Sequence, residues 1–250
     1  MVRSLLVRGM LVGLAAGVLA FAFAYAVGEP QLQAAIDFEH QASAQSTEAG
    51  PADPVSRDVQ STAGLLTGTL TLGVAFGGLF ALGFAWAYGR VGLRGARPTA
   101  AALALAAFAT ITLVPSTKYP ANPPSVGDPG SIDQRTLLSL SMIVITAAAL
   151  LTAVRVRRQL APRLSAWNAS LVAGGAFLAL IVVAELILPA IHETPPGFPA
   201  DVLYRFRLAS LGTNATMWLT IGLGFGAVAE RRLSPARAGA PGGSGPLRAR

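Results

Sequence analysis

Only two imidazoles occur in the 250 residues, His40 and His192, and each stands beside a carboxylate, Glu39 and Glu193 respectively. Asp37 precedes His40 by three residues, so on a helix the two share a face, with Glu39 beside them. Imidazole nitrogens and carboxylate oxygens together suit a divalent transition metal. Sulfur cannot take part in any large way, because the chain has no cysteine and four methionines. That excludes thiolate zinc and iron–sulfur sites, a CxxC redox pair, a disulfide framework and a cysteine nucleophile. Two readings of the histidines stand side by side: a capture site assembled from His40, His192, Asp37, Glu39 and Glu193, or two surface histidines that merely sit in acidic loops.

Glu185 poses a different question, being the one acid inside an apolar stretch, four residues short of Pro189. That places it roughly 6 Å from the end of a helix. An unpaired carboxylate in a bilayer costs several kcal/mol or takes up a proton. Glu185 therefore either passes an ion inward as a further metal ligand or pairs with Arg205 or Arg207. Lys118, Asp128, Asp133 and Arg135 fit ion pairs that fix a loop better than they fit metal ligation.

The elements that must hold these groups belong to a membrane protein. Hydrophobic residues make up 53% of the chain and charged residues 12%, with a mean hydropathy of +0.56, whereas soluble domains carry about 25% charged residues. Twenty-seven glycines against three tryptophans and four tyrosines favour closely packed helices over an aromatic-girdled barrel. Six stretches are long and apolar enough to span, at residues 5–27, 64–88, 98–114, 136–154, 166–188 and 210–229, the third being the shortest. The expected fold is thus an all-α polytopic transmembrane helical bundle of about six spans over residues 1–230. A basic tail at 231–250, rich in Gly, Pro, Ala and Arg, is too poor in large apolar residues to pack.

Charge sorts by side. Fourteen of the nineteen basic residues fall on the segments that share a side with both termini, and ten of the twelve acids fall on the opposite segments. Since lysine and arginine accumulate on cytoplasmic segments, both termini are expected in the cytoplasm. The outer segments then carry a formal −5 and the inner ones +13. Insertion and anionic lipid explain the basic balance, and no nucleic-acid partner is needed. The first span could be read as a signal peptide cleaved after Ala24-Tyr25-Ala26. Its length and its glycines at 9, 13 and 17 favour a retained helix. The same four-residue spacing of glycines at 64 and 68, 73 and 77, and 222 and 226 predicts that helices one, two and six pack closely. No inverted repeat relates the two halves.

The outer segments have their own patterns. Pro30 can occupy a first helical turn, and Leu32, Ala35, Ile36 and Glu39 follow at helical spacing, which predicts a short helix lying on the membrane surface. Residues 115–129 contain five prolines, which favour a stiff extended path. Asp201 marks a helix start after the proline-rich segment around His192.

Lys118-Tyr-Pro-Ala-Asn-Pro-Pro124 with Gly127-Asp-Pro129, and Gly197-Phe-Pro-Ala-Asp-Val-Leu-Tyr-Arg-Phe-Arg-Leu-Ala-Ser-Leu-Gly212, resemble the CbtA family, known as predicted membrane subunits of a cobalt transporter. The likeness runs from the first span through Gly28-Glu29-Pro30 and Val55-Ser56-Arg57 to the last span, leaving out the tail and much of 42–54. It implies uptake of cobalt(2+) across a bacterial inner membrane, linked to cobalamin synthesis, beside a small single-span CbtB subunit that carries histidines. It supplies no established ligand set, and no tightly bound cofactor is expected.

The residues themselves leave three functions open. A permease-type subunit fits the anionic outer face, which concentrates cations. No Gly-x-x-x-x-Gly-Lys-Ser/Thr loop is present, so ATP would have to be used by another chain. An enzyme acting on a lipid-linked substrate would have Asp128, Asp133 and Arg135 to work with, but HExxH, GxSxG and clustered aspartates are missing. A non-conducting partner that assembles another membrane protein is the third.

Overall fold

The computed structural model describes residues 2–45, 56–90, 95–191 and 193–233, and the described residues are mostly helical with no strand. Six long helices form: α1 (Val2–Ala44), α2 (Arg57–Ala87), α3 (Ala96–Lys118), α4 (Ile132–Leu160), α5 (Ala166–Ile187) and α6 (Ala200–Leu233). Each of the six apolar stretches falls on one of them, the second and fifth running one residue past the helix end. Among the described residues, the end of the bundle that carries the α3–α4 and α5–α6 connections, the last turns of α1 and the start of α2 holds most of the acids, and the other end holds most of the arginines.

α1 to α5 have the length and apolarity to cross a membrane. α6 is uncharged between Arg207 and Glu230 but diluted by Thr213, Asn214, Thr216 and Thr220. Its polar side chains are satisfied within the helix. Thr213, Thr216 and Thr220 donate to the carbonyls four residues back at 2.7–2.9 Å, and Asn214 Nδ2 donates to Ser210 O at 3.0 Å. This helix sits between α1 and α3, so protein rather than lipid covers much of it.

Two expected boundaries are corrected. The surface helix is no separate element, because α1 continues without interruption from the first span through Pro30 to Ala44. Likewise α3 does not stop before Pro115 but continues to Lys118. The physical reason is common to both. A proline has no amide hydrogen for the carbonyl four residues back, and its ring crowds that carbonyl. In each case that carbonyl, of Ala26 or Ile111, lies in a stretch of wider π-helix, Ala24–Gly28 or Ala109–Leu113, which absorbs the misfit instead of breaking the helix. At the other extreme α6 keeps residues 231–233, which were expected to belong to the tail, while 234–250 lie outside the described residues.

Close packing of helices one and two is as the glycine spacing predicts. A Cβ on Gly9 or Gly13 would strike the backbone of α2 at Gly77 or Gly73, and one on Gly17 would lie 2.6 Å from Thr69 O. Helix six joins through other surfaces: Gly222 and Gly226 face Ala104 and Ala100 of α3, and Gly212 faces Phe23 of α1. Phe80, Phe84, Trp218, Ile221 and Phe225 fill the space between, with edge-to-face ring contacts of 5.0 and 5.5 Å on Phe225. α4 and α5 form a separate hairpin around Met142, Ala149, Ile181 and Ala184, joined to the rest mainly through α3.

Candidate functional site

At the acidic end, the extension of α1 beyond the bilayer-length stretch is held by α2. Arg57 pairs with Glu29 and its Nε donates to Gln33 Oε1 at 3.2 Å, while Gln33 donates to Asp37 at 2.9 Å. Farther along the extension, Ala35 and Phe38 pack on Val126, Phe198, Val202 and Leu203. This small apolar cap ties α1 to the loop between α3 and α4 and to the first turns of α6.

Glu185 is paired, though with neither arginine that was expected. Thr117 Oγ1 donates to its Oε1 at 2.6 Å, and Lys118 Nζ lies 3.9 Å from Oε2 and donates to its backbone carbonyl at 2.5 Å. The correction follows from the longer α3: the turn past Pro115 brings Thr117 and Lys118 against the end of α5. Tyr119 completes the joint by donating to Pro189 O at 2.8 Å. Burial first, and the Glu185 carboxylate second, push the Tyr119 phenol above its ordinary value of 10.0. Arg205 is exposed on α6. Arg207, two residues on and just before the apolar stretch, donates from Nη2 to Asn122 Oδ1 at 2.8 Å, and burial lowers its pKa.

Glu193 is committed as well, its Oε2 accepting from the Asp128 backbone amide at 3.0 Å and lying 3.3 Å from Arg135 Nη1. Gly127, at φ +129, leaves room for the Arg135 guanidinium, which a Cβ there would strike. Asp128 itself caps the turn, its carboxylate accepting from Gly130 N at 2.9 Å. The ion pairs expected of Lys118 and Arg135 form, whereas Asp128 fixes the loop through a backbone hydrogen bond and Asp133 is exposed in the first turn of α4.

Asp37, Glu39 and His40 are exposed on the α1 extension, and His192 lies outside the described residues. Among the described residues no three His, Cys, Asp or Glu side chains converge on a point that would hold a metal. What the fold does build at this end is a cavity of about 1210 Å³ between α3, α4 and α6, roofed by residues 119–129. Thr112, Lys118, Asn122, Arg135, Arg207 and Asn214 supply its polar wall, with Glu193 at its edge. Arg207, Asn122 and Asn214 were not singled out as site residues from the sequence. A signal existed nonetheless, since the two segments that carry the family resemblance, around Lys118–Pro124 and Arg205–Ser210, meet in this wall.

Several long apolar helices with a polar chamber at one end define a multi-pass membrane protein. The chain belongs to the CbtA family, described as a probable cobalt transporter subunit, whose model matches residues 2–230. Comparison with curated proteins and with solved structures returns no match.

Proposed function

We propose that this protein is the membrane-embedded, non-enzymatic subunit through which a bacterial cobalt uptake system passes cobalt(2+) across the inner membrane. Both termini lie in the cytoplasm, and a small single-span CbtB-like subunit completes the system. The observation that carries this reading is the family match over nearly the whole chain. The accumulation of arginine at the end bearing both termini supports the orientation. His40 and His192, with Asp37, Glu39 and Glu193, are the proposed first contacts for the ion, and Glu185 the proposed group farther in. Neutral imidazole is the ligand form, so capture weakens as protons compete for it at lower external pH.

Radioactive cobalt accumulation in cells expressing the chain, alone and with a small partner, tests the reading. Accumulation should require this chain, and the double replacement His40→Ala and His192→Ala should reduce it at equal protein abundance. Unchanged uptake in the double variant would remove the histidines from the path. Loss of the partner's abundance with no transport by the pair would make the chain an assembly factor instead. Because there is no native cysteine, Ala200→Cys and Ala161→Cys report sidedness in the same cells. An impermeant thiol reagent should label the first and miss the second, and the reverse would invert the topology.

A further inference from the structure

The end of the bundle that is acidic overall holds an open-sided chamber that is not. Asp37, Glu39, Asp58, Asp128, Asp133 and Asp201 are all exposed. The charged side chains lining the cavity are Lys118, Arg135 and Arg207 against the single carboxylate of Glu193. Glu193 already serves Arg135, and the charge of Lys118 is met from behind by Glu185. Arg207 is the cation left over: among the described residues no carboxylate lies within 4.0 Å of it. Its polar partner is the neutral Asn122, and its Nε is buried without a hydrogen-bond partner. Ser125 Oγ, also on the cavity wall, is buried and unpartnered too. A half-buried guanidinium with an idle donor and no counter-charge is costly unless an anion supplies the missing charge. A bare dication would meet three cationic side chains in this chamber.

We propose that the chamber is a binding site for a small soluble multivalent oxyanion of the carboxylate or phosphate class, anchored by Arg207. The planar guanidinium fork matches a carboxylate or phosphate edge in a bidentate manner, which an ammonium cannot do. Asn122 orients that fork, and Arg135 and Lys118 add positive charge on the walls. The unpartnered Ser125 hydroxyl is the neutral donor left for a remaining oxygen. The site is independent of the transport reading, because it makes no use of a metal.

The test uses the full chain purified in neutral detergent without metal, with citrate as the principal probe. Binding of labelled citrate by equilibrium dialysis should be saturable, and citrate should raise the thermal midpoint beyond sodium chloride at equal ionic strength. Inorganic phosphate should act in the same direction. Arg207→Gln should weaken citrate binding about tenfold or more, Arg207→Lys less, and Arg205→Gln not at all. Should Arg207→Gln fold poorly, Asn122→Asp tests the same point from the other side. A carboxylate at that position neutralises Arg207 from within, so the variant should be more stable than the parent without citrate and should lose the response to it. Absence of saturable citrate or phosphate binding, equal binding by Arg207→Gln or by Asn122→Asp, or protection by phosphatidylglycerol alone would each overturn the proposal. Cobalt accumulation is not read in any of these measurements, so their failure leaves the transport reading where it stands.

Discussion

α1 and α2 approach so closely that glycine is required on both sides of the contact, with Gly9 and Gly13 against the backbones of Gly77 and Gly73. The α4–α5 hairpin is built differently. Gly174 and Gly175 on α5 have open space where a Cβ would go, and Leu186 and Ile187 are 79% and 75% exposed on the face left to lipid. The first region is held by backbone proximity and by rings packed among α2, α3 and α6. The second is attached to it through the end of α3, by Val114 and Tyr119 packing on the hairpin core, by the polar joint of Thr117, Lys118 and Tyr119 with Glu185 and Pro189, and at the opposite end by Arg158 donating to Arg90 O at 3.0 Å. Van der Waals contact distributed along a seam resists any single polar loss. A joint of a few hydrogen bonds does not, and the chamber lies beside that joint.

The largest expected effect comes from putting a methyl group into the seam. Gly13→Ala should cost about 1–3 kcal/mol, because the added carbon meets a backbone oxygen that cannot swing away. Gly174→Ala on the hairpin should be neutral or stabilising by up to about 1 kcal/mol, since alanine is the better helix former and nothing obstructs it. Unfolding measured for both variants in one detergent decides the matter. Equal effects would erase the distinction between the regions.

Next in size is the joint. Lys118→Met removes the cation beside Glu185 and should cost about 1–3 kcal/mol, as a partly buried carboxylate then lacks its counter-charge. Glu185→Gln added to that variant should recover part of the loss. A double-mutant cycle that gives simple additivity would show the two side chains to be uncoupled and the hairpin to be held by other contacts.

The smallest effect is confined to alkaline solution. The Tyr119 phenol is held above its ordinary value of 10.0 in the folded protein, so between that value and its folded one the unfolded state releases the proton first. Its contribution is complete below pH 10 and is lost as pH rises through the folded value. Tyr119→Phe should therefore lower stability by about 0.5–1.5 kcal/mol at neutral pH, through the lost bond to Pro189 O, and make the decline above pH 10 shallower than in the parent. Parallel slopes in the two proteins would show that Tyr119 ionises without consequence for the joint.

Much of the fold can be read from local chemistry, because a bilayer leaves few choices. Twenty apolar residues in a row must be helical to satisfy their own amides, and arginine that follows those runs on one side and acids on the other declares which loops share a side. The glycines spaced by four that place α1 on α2 are equally local, since a smooth helix face is a property of one helix. Which charges meet is a different kind of fact. Glu185 was open to Arg205 or Arg207 by sequence and took Lys118, because α3 passes through Pro115 on a π-helical stretch and delivers its last turn to α5. The chamber depends on the same event, together with Arg207 turning toward Asn122 across 85 residues of chain. Such pairings are settled by where helices end in space and by which polar groups are left unpaired when they pack, and a linear pattern of residue types contains neither.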